Sequence, residues 1–360
     1  MILSFLAAST VALTVTVTPI SKPTVMFDSS AASCSQPLIP DAPSRLFRRS
    51  DGEIALIAAY KDNWLLEGKT LSTMAPDCKL ALPLSSYKGQ VRGNLWIEGT
   101  YTLDGKTIYG IASESLREDA ISRGCNKKSP GRCWVNQLRA VRSDDGGESF
   151  SVQEPVVTFG ENYPPGATRR YGAFTTSNIV QTGGAWYTIA YVTAGDRQPR
   201  GNCVLRSKDI SNPGAWRAWD GDDFTIDPTR FEKPCKTFFG STPIRSISYV
   251  SSKGVWIAVF SDILKMNGED EARPGFYLLS STDLTSWSKP VRIMDALLRP
   301  RVDSREEVWS YPSLFDPLSK SPNFETIDNA EAIITFTAHH LRNGSGTMDR
   351  DLKSVRVRLQ

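Results

Sequence analysis

Five strand-like runs recur along this chain, and their recurrence constrains its fold more than any other feature. They begin 53 to 78 residues apart and span Ile54 to Tyr60, Thr107 to Ser113, Ala185 to Val192, Val255 to Phe260 and Ala332 to Ala338. Four runs follow a tight-turn pair, which is Asp51-Gly52, Asp104-Gly105, Gly183-Gly184 or Lys253-Gly254. Such pairs are strong hairpin signals. The pattern predicts an all-β, five-bladed β-propeller, in which each sheet buries its faces against its neighbours.

A second repeat predicts further hairpins. The segment Ser143 to Phe150 has the form Ser-x-Asp-x-Gly-x-Ser-aromatic, and looser versions run from Ser207 to Trp216 and from Ser281 to Trp287. In such a turn the Ser and Asp side chains bond to nearby backbone amides, while the glycine takes a positive φ and the aromatic ring packs beneath. We interpret these motifs as structural rather than catalytic.

Composition favours the same fold class. The 360 residues include 26 Gly, 22 Pro and, counting Phe, Tyr and Trp together, 35 aromatic residues, which suits short strands joined by turns. A pair of β-sandwich domains would also show short strands of alternating polarity. No Pro/Ser/Gly-rich linker divides the chain, so one β-propeller domain over residues 34–360 is the simpler interpretation.

Charge and histidine content exclude several functions. Lys and Arg number 42 against 39 Asp and Glu, a formal net charge of +3, so no overall basic field exists to hold nucleic acid. The only histidines are the adjacent His339 and His340, which excludes a three-histidine metal site. We therefore expect no metal, no cofactor and no nucleic acid partner.

The N-terminal residues predict export. Ile2 to Thr18 form an uncharged apolar and Thr-rich stretch whose length suits a signal peptide, with the leader taken to end near residue 33. A membrane anchor is the alternative, but the stretch is short and interrupted by threonines, which makes a poor spanning helix. We expect a secreted or periplasmic protein without stable membrane insertion.

Six cysteines support an oxidising compartment. Their even number and the absence of a Cys-x-x-Cys pair predict three disulfides. Spacing suggests Cys34 with Cys78, Cys125 with Cys133, and Cys203 with Cys235. Six buried free thiols are the alternative.

Two of the hairpin motifs resemble those of known propellers. The Ser143 to Phe150 turn resembles the aspartate box of sialidases, and Ser281 to Trp287 resembles the outer hairpin of five-bladed arabinanase, xylosidase and invertase-type glycosidases. The segment Pro40 to Pro43 before Asp51-Gly52 is similar to the first blade of those glycosidases, where an Asp lies on the innermost strand. The resemblance implies a propeller over about 320 residues, approximately the length left after the leader.

A third resemblance covers the middle of the chain. Thr176 to Ile179, Gly201 to Ser207 and Trp216 to Phe224 resemble a family of secreted bacterial propellers that supplies no assigned activity. Members of that family carry a His-Asn-Glu-Tyr run where this chain has Ala112-Ser113-Glu114-Ser115, so only the glutamate is retained.

The glycosidase resemblance implies hydrolysis by carboxylates that project into the central funnel. One carboxyl must be protonated to donate to the leaving oxygen, and another must be ionised to activate water or attack. Asp41 matches the glycosidase position and is assigned as general base or nucleophile. Glu98, Glu114 and Asp316 are candidates for the acid, although strand-end carboxylates and an Asp-Pro pair are also typical of turns.

Sugar binding adds further candidates. Aromatic faces stack on the C–H side of a sugar ring, an arginine fork binds an acidic sugar, and amide or imidazole groups bond to hydroxyls. The candidates by residue type are Trp96, Trp134, Tyr171, Trp309 and Tyr311 as platforms, Arg170 and Arg206 as forks, and Asn178 and His340 as polar partners. Each has an alternative role in packing, surface ion pairing or backbone hydrogen bonding.

The sequence therefore predicts a secreted glycoside hydrolase that acts on an oligo- or polysaccharide. A propeller that binds carbohydrate without turnover is the first alternative, and a polysaccharide lyase is the second. Alanine at Asp41 would abolish sugar release from a hydrolase, whereas a lyase would give an unsaturated product that absorbs in the near ultraviolet.

Overall fold

The computed structural model describes residues 15–58, 60–91, 93–116, 135–158, 171–193, 197–230, 232–298 and 306–360. Strands dominate these segments. Two short strands come first, β1 (Val17–Pro19) and β2 (Thr24–Asp28). Helical structure in the described segments is limited to α1 (Leu84–Tyr87) and two 3-10 turns, Leu71–Thr73 and Pro213–Ala215. No helix of these segments is long and apolar enough to cross a membrane.

The remaining strands fall into five antiparallel groups, which we call blades I to V. Blade I is β3 (Arg45–Arg48), β4 (Ile54–Ile57), β5 (Asn63–Gly68) and β6 (Ala75–Leu82). Blade II is β7 (Asn94–Thr102), β8 (Ile108–Ser115), β9 (Val135–Ser143) and β10 (Ser151–Val157). Blade III is β11 (Tyr171–Thr176), β12 (Val180–Thr182), β13 (Ala185–Thr193), β14 (Gly201–Ser207), β15 (Arg217–Trp219), β16 (Phe224–Ile226) and β17 (Thr237–Phe238).

Blades IV and V complete the ring. Blade IV is β18 (Ser246–Val250), β19 (Val255–Leu264), β20 (Arg273–Ser281) and β21 (Val291–Asp295). Blade V is β22 (Glu307–Phe315), β24 (Glu331–Arg342) and β25 (Ser345–Leu359), with β23 (Thr326–Ile327) pairing onto β18 of blade IV. Blades II and III share one hydrogen-bonded sheet only through a short parallel contact, in which Tyr171 and Gly172 pair with Val135 and Asn136.

Five apolar clusters show that the blades close into a ring. Each cluster takes its buried side chains from two neighbouring blades: I with II, II with III, III with IV, IV with V, and V with I. The last of these brings Trp64 and Leu56 of blade I against Phe315 and Leu352 of blade V. The predicted five-bladed propeller is therefore confirmed. Each of the five predicted runs supplies the second strand of a blade: β4, β8, β13, β19 and β24.

The predicted turn motifs join the third and fourth strands of blades II, III and IV. In the Ser143 to Phe150 turn, the Asp145 carboxylate accepts hydrogen bonds from Ser149 N (3.0 Å) and from both flanking serine hydroxyls. Gly147 has φ +93, and a Cβ there would lie 2.6 Å from the Phe47 ring of blade I. The glycine is thus required both by the backbone and by the packing against the next blade.

Two of the three predicted disulfides are present, Cys34–Cys78 and Cys203–Cys235. The third predicted pair, Cys125 with Cys133, lies outside the described residues. The first bond ties the segment before blade I to β6, and the second ties β14 to the segment that follows β16. The confirmed bonds therefore lie at the outer parts of blades I and III.

Arg45, at the start of β3, occupies the axis of the ring and is 2 % exposed. Its guanidinium donates to one acceptor from each blade: Ser44 O (2.9 Å), Glu98 O, Thr176 O (3.2 Å), Arg245 O (2.7 Å) and Ser313 Oγ (3.2 Å). Burial lowers the pKa of Arg45 to about 9, which still leaves it charged at neutral pH. A single side chain therefore joins all five innermost strands.

We expect Arg45→Met to destabilise the fold by about 3–5 kcal/mol, because the change leaves buried carbonyl groups of several blades without a donor. Denaturant unfolding of the variant measures this loss. Arg206→Met, which removes a partly exposed arginine of blade III, is the matched control and should cost less than about 1 kcal/mol. Equal stability of the two variants would show that the axial contacts contribute little.

The N-terminal strands complete blade V. β1 and β2 both pair antiparallel with β25, through pairs such as Val17 with Leu359 and Thr24 with Ser354. The side chains of Val15, Val17 and Phe27 are buried there. Both strands lie inside the range 1–33 for which the sequence predicts a leader, and that boundary stays a prediction.

We expect a chain that starts at residue 34 to be less stable than one that starts at residue 15. The shorter chain exposes the edge of β25 and loses three buried apolar side chains, each worth about 1.5–3 kcal/mol. Thermal unfolding of the two chains at equal concentration compares them. Identical melting temperatures would mean that β1 and β2 contribute nothing to the propeller.

Candidate functional site

The site lies where the five innermost strands begin, which we call the entry face. Each blade starts with its innermost strand, so β3, β7, β11, β18 and β22 run in the same direction around the axis. Five partly exposed side chains lie near the entry ends of these strands, among residues that are mostly buried. They are Asp41, Trp96, Arg245, Tyr311 and Arg350. Together with buried Glu98 they form the Asp41 site.

Below the entry face the axis is closed. A small cavity lies along the axis and is lined by Arg45 together with Leu46, Thr100 and Leu314. These last three residues follow Arg45, Glu98 and Ser313 along their strands, so the cavity lies on the exit side of the Arg45 guanidinium. The Asp41 site is therefore a funnel with a floor rather than an open tunnel.

Asp41 is the central carboxylate of the site. Its Oδ1 accepts hydrogen bonds from Arg350 Nη1 and from the Tyr311 hydroxyl (3.3 Å). Burial raises the pKa of Asp41, and the Arg350 charge together with hydrogen bonds from Arg350, Tyr311 and Trp96 opposes that rise. The Arg350 guanidinium thus provides the main stabilisation of the Asp41 anion.

Tyr311 holds an unusual backbone conformation at the centre of the site. Its φ is 60°, in the left-handed region that non-glycine residues rarely adopt, and β22 has a register irregularity between Ser310 and Ser313. The irregularity directs the phenol to Asp41, while Arg245 stacks over the ring at 5.0 Å and the His339 ring lies 5.9 Å away. Backbone strain of this kind clusters at functional sites.

Glu98 is the second carboxylate near Tyr311. Its Oε2 accepts hydrogen bonds from Thr175 Oγ1 and Thr176 N (3.0 Å), and Arg245 Nη1 donates to the same threonine hydroxyl (2.9 Å). Burial raises the pKa of Glu98, and Arg245 is the first of several groups that oppose the rise. Burial raises the pKa of the Tyr311 phenol, and the charges of Asp41 and Glu98 raise it further.

The two remaining carboxylate candidates lie elsewhere. Glu114 is buried at the end of β8, where it accepts from Gln137 Nε2 (2.5 Å), Arg139 Nε (2.8 Å) and Gly93 N (3.3 Å). Asp316 follows the last residue of β22 and accepts from amides of the segment between β22 and β24. Their contacts are those of structural carboxylates, and the catalytic roles predicted for them have no further support.

The predicted aromatic platforms separate into two groups. Trp96 and Tyr311 belong to the Asp41 site, whereas Trp309 packs on Phe336 with ring centroids 4.5 Å apart, in the core between blades IV and V. Tyr171 is buried at the start of β11. Trp134 lies outside the described residues, as does the predicted arginine fork Arg170.

The polar candidates make mainly structural contacts. Asn178 bonds to Ile247 N (2.7 Å) and Ile247 O (2.9 Å), which ties blade III to blade IV. Arg206 forms an ion pair with Asp223 and stacks over Phe224 at 4.4 Å. The sugar-binding roles of these two residues stay predictions.

His340 and His339 have different surroundings. His340 Nε2 lies 2.9 Å from Asp351 Oδ2, and with Asp349 these two residues form a group of metal-ligand type whose donor atoms lie within 4.8 Å of one another. His339 Nε2 instead shares a hydrogen bond with Ser310 Oγ beside Tyr311. His339 therefore lies nearer the Asp41 site than the predicted His340 does.

Sequence reasoning missed Arg245, Arg350 and Thr175, and of the two histidines it selected His340 rather than His339. None of these residues belongs to a recognisable motif, and Arg350 lies 309 residues from the aspartate it contacts. The one available signal was strand position, because Arg245 and Thr175 lie near the ends of innermost strands.

Comparisons with known proteins support the fold. No family model and no curated protein matches the chain. Among solved structures, an endo-1,5-α-L-arabinanase from Thermotoga petrophila has a TM-score of 0.51 at 11% identity, covering 88% of this chain and 71% of that one. This likeness shows that the chain has the fold of the five-bladed glycosidase propellers, as predicted.

Other solved structures have similar lengths. An α-L-arabinanase from Cellvibrio cellulosa has a TM-score of 0.48 at 10% identity, with 88% of this chain and 91% of that chain covered. An α-L-arabinofuranosidase from Lactobacillus brevis has a TM-score of 0.47 at 10% identity, with 92% and 94% covered. The resemblances to the sialidase aspartate box and to the secreted bacterial family stay predictions.

We expect Tyr311→Phe to raise the pKa of Asp41 further, because the change removes a hydrogen bond to the ionised carboxylate. The titration midpoint of the Asp41 carboxyl carbon, followed by NMR, should move to higher pH. Tyr249→Phe removes a phenol remote from Asp41 and is the control. An unchanged Asp41 midpoint in Tyr311→Phe would show that the phenol does not stabilise the anion.

Proposed function

We propose that this protein is a glycoside hydrolase in which Asp41 acts as general base or nucleophile and Glu98 acts as general acid. The observation that carries the proposal is the placement of two carboxylates around one phenol, the partly exposed Asp41 and the buried Glu98, each in a different ionic environment. Asp41 contacts a guanidinium directly. Glu98 instead accepts from a hydroxyl and a backbone amide. A glycosidase needs such a difference.

The chemistry assigned to each carboxylate follows from its surroundings. Because Arg350 and Tyr311 both donate to Asp41, this residue is the better anion and would attack the anomeric carbon or deprotonate the attacking water. Because burial favours its neutral form, Glu98 would donate its proton to the glycosidic oxygen as the bond to the anomeric carbon breaks. Water supplies the hydroxyl of one product and replaces the donated proton.

Other features fit a saccharide substrate and an exported protein. Trp96 presents a partly exposed indole beside Asp41, and such a face can stack on a sugar ring. The fold likeness is to an enzyme named as an arabinanase. The two disulfides agree with an oxidising compartment, so we propose that the protein works outside the cytoplasm.

A carbohydrate-binding propeller without turnover is the second candidate. It is favoured by the contacts of the two carboxylates, since Asp41 is in an ion pair and Glu98 already accepts two hydrogen bonds. In a binding protein these groups would orient sugar hydroxyls. Substitution of the carboxylates separates the two candidates.

We expect Asp41→Asn to lower sugar release by a factor of about 10³ or more, because it removes the anion that the reaction requires. Glu98→Gln should lower hydrolysis of natural glycosides strongly and of an aryl glycoside with a good leaving group much less, because the latter needs little protonation. Rates are measured on the glycan found by screening plant, bacterial and host polysaccharides for reducing-sugar release.

Asp316→Asn is the control, since Asp316 is a fully buried carboxylate that follows β22, away from Asp41. It should lower the melting temperature while leaving kcat within a factor of a few. Full activity of Asp41→Asn would rule out the proposed mechanism. Glycan binding by the wild-type protein without sugar release would favour the second candidate.

A further inference from the structure

Two arginine side chains lie on either side of the Asp41–Tyr311 hydrogen bond. The Arg245 guanidinium lies over the Tyr311 ring, 5.0 Å from its centroid, and Arg350 donates to the carboxylate that the phenol contacts. Both side chains are partly exposed at the entry face. They come from blades IV and V and meet only because the ring is closed.

Both guanidinium groups carry donors that the described residues do not use. Each has five N–H donors. Arg245 makes one side-chain hydrogen bond within the described segments, from Nη1 to Thr175 Oγ1 at 2.9 Å. Arg350 donates from Nη1 to Asp41, its Nη2 lies 3.9 Å from Met348 Sδ, and its buried Nε has no partner. A buried donor without a partner is costly and points to a missing acceptor.

The charged groups around Tyr311 give the site a net positive charge. The described groups around Tyr311 include the guanidiniums of Arg45, Arg245 and Arg350 but only the carboxylates Asp41 and Glu98. Arg45 is fully engaged by its contacts to the five blades. Three guanidiniums against two ionised carboxylates leave a net charge of +1 at the site, and a neutral Glu98 leaves +2.

We propose that the substrate carries a carboxylate, as in a uronic acid residue, and that Arg245 and Arg350 bind this group beside Asp41. A planar fork of N–H donors matches a carboxylate better than a hydroxyl. Arg350 holds Asp41 through Nη1, and its exposed Nη2, 3.9 Å from Met348 Sδ, is the donor that remains for the ligand. The inference deepens the proposed function and rests on it for the position of the reacting sugar.

This assignment differs from the forks that the sequence suggested. Arg206 is engaged with Asp223 and Phe224, and Arg170 lies outside the described residues. The residues proposed to bind the acidic sugar are therefore Arg245 and Arg350, which belong to no recognisable sequence motif. Arg206 becomes a useful control, because it carries the same charge at a different place.

Calorimetric binding of a uronic acid oligosaccharide and of its carboxyl-reduced neutral counterpart tests the proposal. The wild-type protein should bind the charged oligosaccharide at least about tenfold more tightly, since a charge-assisted hydrogen bond contributes about that much. Arg245→Gln and Arg350→Gln should each lose most of this preference, whereas Arg206→Gln should keep it. Should Arg245→Gln fail to fold, Arg245→Lys keeps the charge, loses the fork and should show a reduced preference.

Equal binding of the charged and neutral oligosaccharides by the wild-type protein would overturn the proposal, even if that protein hydrolyses glycans. Equal affinity for a sulfated oligosaccharide would also overturn it, because the fork would then give no selectivity for carboxylate. Asp41→Asn separates this inference from the proposed function. It removes the competing anion, so it should bind the uronic acid oligosaccharide at least as tightly as the wild type whether or not the protein is an enzyme.

Discussion

The buried Arg45 guanidinium is the interaction on which the rest of this structure depends. A propeller ring leaves its innermost strands without a further sheet on the axial side, so backbone groups there need partners. Arg45 supplies them from one side chain, because its donors lie in a plane and point in several directions at once. A lysine would present a point charge without that geometry. The same contact closes the ring and gives the funnel its floor.

The position of the Arg45 guanidinium determines where a ligand of the Asp41 site can bind. Since Arg45 fills the axis, a ligand at the Asp41 site stays on the entry side, where each innermost strand begins. Asp41 lies just before Arg45 in sequence, so the residue that closes the axis also fixes the position of the central carboxylate. The cost is that Asp41 and Glu98 are desolvated, which raises both pKa values. Arg350 and Arg245 offset this cost from blades V and IV.

How much of this could be predicted from the sequence depends on the range of the interactions. The hairpins were predictable because Asp-Gly, Gly-Gly and the Ser143 to Phe150 motif act through residues a few positions apart. Cys34–Cys78 and Cys203–Cys235 followed from parity and spacing. The partners of Asp41 could not be predicted in this way, because Tyr311 and Arg350 lie 270 and 309 residues away and are brought close only by ring closure.

The same distinction applies to the carboxylate candidates Glu114 and Asp316, whose catalytic roles stay predictions. Glu114 and Asp316 have the local setting expected of funnel residues, since each ends a strand, but their oxygens are taken up by neighbouring donors. Glu98, which the sequence also offered as a candidate acid, lies mid-strand, and its register on β7 places it beside Thr175 and near Arg245. Position, rather than the kind of donor, separates the two groups. Asp41 and Glu98 both lie beside Tyr311 at the entry face. Glu114 is paired with Gln137 and Arg139 at the end of β8, and Asp316 with the amides before β24.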